Sequence, residues 1–284
     1  MSFLIDDKNL IDSAMSTELV SGSSDFDKIV EAMRYSALGG KRLRGILTLE
    51  FAKMFGCSFE EAMPYAVAVE CIQAYSLIHD DLPCMDDDNM RRGKPSCHIA
   101  FGEANALLAG DALLTHAFSA ISESGSAEKH PERAVKAIKC LSGFAGFRGM
   151  VGGQVLDLEA AEQEVDGKTL GTIHMLKTCA LIKASVLMGC YAAGAEADLC
   201  DLSEKYAENF GLAFQIIDDI LDFDGNYDTC ELNSYVKVHG LEKAREDTSA
   251  LIAEAAKVLS ELGEKGFDTS VFDELLEFLV KRMK

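Results

Sequence analysis

Proline is scarce in this chain, four residues among 284, while glycine occurs 23 times. Scarce proline argues against many tight turns and leaves room for long helices. Basic residues are also in deficit: 27 lysines and arginines stand against 47 acids, a net charge of −20. Such a surface repels a nucleic-acid backbone, so no nucleic-acid partner is expected; an anionic substrate must come with cations or meet a local basic patch. None of the nine cysteines sits in a CxxC pair, so zinc-ligand spacing is absent. An odd number of scattered thiols points to a reducing compartment. The opening MSFLIDDKNLID has neither a basic segment nor a long apolar one, and the longest apolar run, Cys179 to Ala195, contains Lys183 and Gly189. No signal peptide and no membrane span are therefore expected, and the setting reads as cytoplasmic. Strand-like alternation, internal repeats and linkers are missing too, while 48% hydrophobic residues suffice for a sizeable core. The expectation is one all-α domain over residues 1–284.

Acid, by contrast, is concentrated. Ser76 to His98 reads SLIHDDLPCMDDDNMRRGKPSCH, with Asp80, Asp81, Asp86, Asp87 and Asp88 followed by Arg91, Arg92 and Lys94. An apolar run leads in, so Asp80 and Asp81 close a buried helix and Pro83 interrupts it. Carboxylates suit a hard cation such as Mg2+, which keeps waters or phosphate as its remaining ligands; guanidinium forks suit phosphate. The stretch is either a metal-bridged phosphate site or a solvated charge run at a helix end. A second cluster, FQIIDDILDFD from Phe214, puts Asp218 and Asp222 one turn apart on one face, with Asp219 beside it. Like charges at that spacing destabilise an isolated helix, so either a metal holds them or they form an exposed end paired with lysines. Together the clusters suggest two carboxylate walls facing each other across a cavity.

Periodicity divides the rest into helices. Residues 1–20 form the first, Ser21 to Ser24 a turn, and Asp25 is placed to cap the next. Gly39-Gly40-Lys41-Arg42-Leu43-Arg44-Gly45 can bring backbone N–H groups and cations onto one anion, or be a basic helix start on the surface. Ile46–Phe55 and Ala62–Ile78 are apolar helices, the second nearly so all round and hence central, with Glu70 and Gln73 as polar exceptions. Gln73, two turns before Asp80, either lines the cavity or is a satisfied buried amide. Helices follow over Asn105–Ser119 and Ala134–Phe147, with residues 122–131 as a loop. Gln154 and Asp157 share a face after the glycines of GMVGGQ. Thr172–Ala195 is a long apolar helix carrying Lys177, which is either paired or snorkelling. Ala197–Phe210 leads to the second acid cluster. Leu241–Leu262 and Ser270–Lys284 are the last helices.

These motifs resemble the trans-isoprenyl diphosphate synthases, the polyprenyl synthetase family, over nearly the whole chain. DDLPCMD is similar to the family's first aspartate-rich motif and DDILD (218–222) to its second; GGKRLRG, RRGKP, AGDALL, GMVGGQ and LKT (176–178) fall in the expected order. The resemblance implies an all-helical homodimer whose subunits each enclose a deep central cavity. It also implies Mg2+-dependent condensation of isopentenyl diphosphate with an allylic diphosphate. Asp80 and Asp86, with Asp81 supporting, would bind two Mg2+ ions; Asp218, with Asp219 and Asp222, would bind a third. Arg91 and Lys177 would hold the allylic diphosphate, and Lys41, Arg44, Gln73 and Arg92 isopentenyl diphosphate. Lys177, Thr178 and Gln215 would face the allylic cation. Released diphosphate would take the last proton, which leaves His79 a structural role. Tyr75, about 7.5 Å up the helix from Asp80, and Ser76 would set chain length, favouring C15 farnesyl diphosphate over C20.

Two departures stand out. Gly45 occupies a position where the family usually has proline. Between Asp222 and Gly240 only FDGNYDTCELNSYVKVH remains, shorter by about a dozen residues, or about three helical turns; Leu232 takes the place of a diphosphate-binding lysine and Lys237 is out of register. That loss keeps a non-catalytic regulatory relative open as an alternative. A class I terpene cyclase is a further reading, but it needs no bases for a second diphosphate.

Overall fold

The structure, a computed structural model, describes residues 2–161 and 163–283. Its first part comprises α1 (Ser2–Glu18), α2 (Asp27–Ala37), α3 (Leu43–Met54) and α4 (Phe59–Asp80). A hairpin of β1 (Met90–Arg91) and β2 (Lys94–Pro95) precedes α5 (Cys97–Phe101), α6 (Glu103–Ser122), α7 (Gly125–Lys129), α8 (Pro131–Ala145) and α9 (Met150–Ala160). Next come α10 (Gly167–Ile173), a π-helical turn (His174–Cys179) and α11 (Ala180–Ala193). The chain closes with α12 (Ala197–Asp222), α13 (Tyr235–His239), α14 (Leu241–Glu264) and α15 (Ser270–Arg282).

The two helices without a polar face lie at the centre. α4 and α11 pack on each other, and α3, α6 and α8 surround them; a helix apolar all round has no face to give to water. Ser58 starts α4 by accepting the Glu61 N–H, and Glu60 and Glu61 favour that positive end. A second core region lies where α12 packs on α14 and α15, with Phe272 at 4.2 Å and Tyr206 at 5.5 Å from the Phe51 ring. The continuous helical run Gly167–Ala193 is in fact long and apolar enough for a membrane span, contrary to expectation, but 72% of its most apolar window is buried within the protein. It is the bundle's core helix.

Other expectations need local correction. Asp25 caps nothing: Ser23 accepts the Asp25 N–H and opens a 3-10 turn, Ser24–Phe26, ahead of α2. The supposed loop at 122–131 contains α7, because Ser124 accepts the Ala127 N–H and starts a helix there. The short hairpin at residues 90–95 is too brief for alternation to reveal.

The Gly45 departure has a physical reason. Its N–H donates to Glu70 Oε1 at 2.8 Å, a bond that proline cannot make. The other Glu70 oxygen accepts from Arg42 Nη1 at 3.1 Å, and Arg42 Nε donates to Asp12 at 2.7 Å. Arg42 and Glu70 are both buried, so this network ties α1, α3 and α4 together with its charges matched.

A second buried acid pair holds α1 less comfortably. Asp7 and Glu50 are each 4% exposed. Burial, then the hydrogen bond and charge of Glu50, push Asp7 up to about 7. The folded state therefore keeps a proton that the unfolded chain loses near 3.8, and stability falls as pH rises between those values. Asp7→Asn removes the penalty. Thermal melts are expected to show a gain in Tm that is larger at pH 8 than at pH 5.5.

Candidate active site

The aspartates sit at the C-terminal ends of two helices. Asp80 ends α4 and Asp81 caps it, while Asp218, Asp219 and Asp222 fall in the last turn of α12. A helix C-terminus carries partial negative charge, so acids there are doubly disfavoured without a cation. Burial raises Asp80 to about 6, and neighbouring Asp86 and Asp81 add to it while Lys177 and Arg91 oppose. Asp86 is raised in the same way, by burial first, with Lys177 again opposing. Burial also raises Asp219 to about 6, and raises Asp218 despite Arg282 and Lys41. Among the described residues no three Asp, Glu, His or Cys groups form a protein-only metal cage. Mg2+ needs none: one or two carboxylates, waters and substrate phosphates are its usual shell. These desolvated, mutually repelling oxygens fit such an ion.

Arginine geometry follows from the hairpin. Arg92 and Gly93 have φ of 54° and 76°, which makes the turn between β1 and β2 the primed type suited to a two-residue hairpin. Arg42 and Asp87 are left-handed as well, at 61° and 53°. Non-glycine residues seldom adopt this conformation, and here they cluster in the loops around the acids. The turn lets Arg91 reach back. Its Nε donates to buried Asp81 at 2.8 Å and its Nη2 to Asp88 at 2.9 Å. Arg92 lies across Gly40, where a Cβ would meet its Nη1 at 3.1 Å, so the two basic motifs adjoin. Lys94 turns away to the Tyr35 carbonyl and ring.

Lys177 and Thr178 sit on the π-helical turn, a feature common at functional sites because its extra residue redirects side chains. Lys177 is paired: Nζ donates to Asp157 Oδ2 at 2.5 Å, and Asn233 donates to the other oxygen at 2.5 Å. Thr178 Oγ1 donates to Gln215 at 2.7 Å; Gln215 donates to Asp219 at 2.9 Å, and the Tyr235 N–H to the other Asp219 oxygen at 2.6 Å. The shortened segment is thus a folded strap docked on both Asp157 and Asp219. Leu232 offers no cation, and Lys237 donates to the Tyr227 carbonyl at 2.6 Å. Beneath the strap, burial lowers His174 to about 4, leaving it neutral.

Beside the acids lies a cavity of about 880 Å³. Of the predicted residues, Lys41, Arg44, Gln73, Arg91, Arg92 and Asp218 line it. Arg44 has a buried Nε without a partner among the described residues, and burial pulls it down to about 10. Asp80, Asp86, Lys177, Thr178, Gln215, Asp219 and Asp222 lie outside that lining, in the acid and lysine cluster; Arg91 and Asp218 belong to the cavity wall and to the aspartate ends alike. Gln154 has a buried amide nitrogen without a partner among the described residues. Tyr75 is 6% exposed, edge-on to His79 at 5.7 Å, and Ser76 bonds back to the Gln73 carbonyl. Neither lines the basic cavity. His79 donates to the Leu107 carbonyl at 3.1 Å. Sequence reasoning missed Arg282, whose Nη2 donates to Asp218 at 2.8 Å from the cavity wall, and Asn233.

Known proteins resemble this chain over most of its length. A family model described as Polyprenyl synthetase matches residues 26–260. Farnesyl diphosphate synthase of Escherichia coli is 46% identical over 270 residues, covering 90% of each chain. That of Bacillus subtilis is 39% identical and covers 92% of each. The crystal structure of an FPP/GFPP synthase from Zymomonas mobilis superposes with a TM-score of 0.88 at 36% identity, covering 100% of this chain and 98% of that one.

Proposed function

The chain belongs to the polyprenyl synthetase family, and from that premise we propose that it joins isopentenyl diphosphate head-to-tail to dimethylallyl and then geranyl diphosphate, making farnesyl diphosphate. One observation carries the reading: two anion-handling compartments share a wall. The acid cluster with Lys177 suits a metal-bridged allylic diphosphate. The basic cavity next to it suits a second diphosphate without metal. A terpene cyclase has no use for the second.

Asp80, Asp86 and Asp218 would hold Mg2+, with Asp81, Asp219 and Asp222 in support, and three ions per site are proposed. A bound divalent cation would supply Lewis-acid stabilisation of the departing diphosphate. The protein's own groups do the rest. Arg91, fixed by Asp81, and Lys177, fixed by Asp157, present positive charge where the leaving group gains negative charge. Lys41, Arg44, Gln73 and Arg92 orient isopentenyl diphosphate so that its double bond faces the allylic carbon. Thr178 and Gln215 aim oxygen dipoles at the cation, and surrounding apolar helices keep out the water that would trap it as an alcohol. Burial that lowers His174 to about 4 makes it a weak proton acceptor, and the released diphosphate is the proposed base for the last proton.

Exposed apolar side chains support a homodimer. Leu107 and Leu108 on α6, Val151 and Val155 on α9, and Phe147, 76% exposed, are bare in the isolated subunit. A second copy is the proposed cover, testable by sedimentation. All nine cysteines are free thiols, which supports a reducing, cytoplasmic setting.

The test is a product assay with labelled isopentenyl diphosphate, an allylic primer, Mg2+ and an EDTA control. Metal-dependent C15 is expected. Tyr75→Ala should lengthen the product to C20 or beyond. C20 from the unaltered protein would keep the chemistry and remove Tyr75 as the floor. No elongation by a folded dimer would favour the regulatory alternative.

A further inference from the structure

Arg282 closes α15, and its guanidinium lies over the rings of Phe214 at 5.3 Å and Phe278 at 5.8 Å. From that seat it donates to Asp218 Oδ1 at 2.8 Å while forming part of the basic cavity's wall. Its partner is one of the acids fit for a metal. A divalent cation on that carboxylate and the guanidinium repel each other, so the two compete for Asp218. Across the cavity, Lys41, Arg44 and Arg92 have no ion pair among the described residues. Arg42 and Arg91, in the same wall, are already matched by Glu70 and Asp81.

We infer that Arg282 is an exchangeable counter-ion: it holds Asp218 in the metal-free protein, yields that carboxylate to a divalent cation, and turns its fork to the diphosphate in the adjoining cavity. The aromatic seat keeps the guanidinium in the cavity wall throughout, so the exchange needs only a change of hydrogen-bond partner. Linkage makes the effect reciprocal: metal uptake frees a cation for the second substrate, and the second substrate draws Arg282 off the metal's ligand. The choice of diphosphate rests on the prenyl-transfer reading; the competition at Asp218 rests on geometry alone.

The experiment is a calorimetric titration with Mg2+, without substrate, of the full chain and of Arg282→Gln, Arg282→Lys and Asp218→Asn. Arg282→Gln should take up Mg2+ about fivefold more tightly, the scale of a partly exposed ion pair. It should bind isopentenyl diphosphate about tenfold more weakly, the scale of one charge-assisted contact. Arg282→Lys should fall between, since it keeps charge and loses the fork. Hydrogen exchange in the last turn of α15 should rise with Mg2+ alone and fall again when isopentenyl diphosphate is added, which a purely structural arginine would not produce. Equal Mg2+ affinity in Arg282→Gln, or protection of that turn by Mg2+ alone, overturns the exchange and leaves prenyl transfer standing. No Mg2+ uptake by any of the four proteins without substrate also overturns the exchange and leaves prenyl transfer standing, because there the diphosphate completes the metal's shell.

Discussion

Asp80→Asn is expected to lower kcat by about a thousandfold or more, the scale of losing one preorganised metal or oxyanion contact, without lowering Tm. Two properties of the site combine here. Among the described residues Asp80 has no compensating hydrogen bond of the kind Asp81 receives from Arg91; it is desolvated, sits at the negative end of α4 and is repelled by Asp86 and Asp81. Its ordinary pKa is raised to about 6, so above that pH the folded protein bears the cost of a charge the unfolded chain carries freely. The amide removes that cost, and at pH 8 the variant should melt no lower than its parent. Asp219→Asn is the contrasting case. Its two oxygens accept from Gln215 and from the Tyr235 N–H, and an amide can satisfy only one. That variant should lose both activity and Tm. Paired kinetics and melts separate the two outcomes. An Asp80→Asn protein that keeps its turnover would remove Asp80 from the metal site.

Legibility in the sequence followed residue type more than position. The aspartates and Lys177 stood out because acids one turn apart, or a lysine in an apolar helix, conflict with the local pattern. The structure resolves the lysine as paired with Asp157 and brings Lys41, Arg44, Gln73 and Arg92 to one cavity. Arg282 escaped notice because a basic residue at a helix C-terminus is what the dipole favours anyway. Arg42 read as one more base between two others, yet its left-handed backbone turns it inward onto Asp12 and Glu70. The strap was hardest to read. Its grip on Asp219 is a main-chain N–H, which has no side-chain signature, and its grip on Asp157 is the amide of Asn233, 76 residues distant. The π-helical turn leaves no periodic trace, since one extra residue shifts the register within a long, mostly apolar helical run.

That turn is also where a single methyl group should do most damage. At Gly153 a Cβ would lie 2.3 Å from the Lys177 nitrogen and 2.7 Å from the Leu176 carbonyl carbon, both backbone atoms. No flexible side chain can give way, so α9 must move off the π-helical turn. Asp157 is one helical turn from Gly153 on the same face of α9, and the displaced helix takes with it the carboxylate that holds Lys177. Gly153→Ala should therefore cost about 1–3 kcal/mol by overpacking. It should also lower kcat by about a hundredfold, the scale expected when a positioning group moves by an ångström. The KM for isopentenyl diphosphate should change little, because Lys41, Arg44 and Arg92 lie on other elements. Melting and steady-state kinetics on one purified variant check all three. A variant destabilised but fully active would show that Lys177 is not held by the contact between α9 and the turn. One that loses isopentenyl diphosphate affinity as steeply as kcat would show that the two compartments are mechanically one.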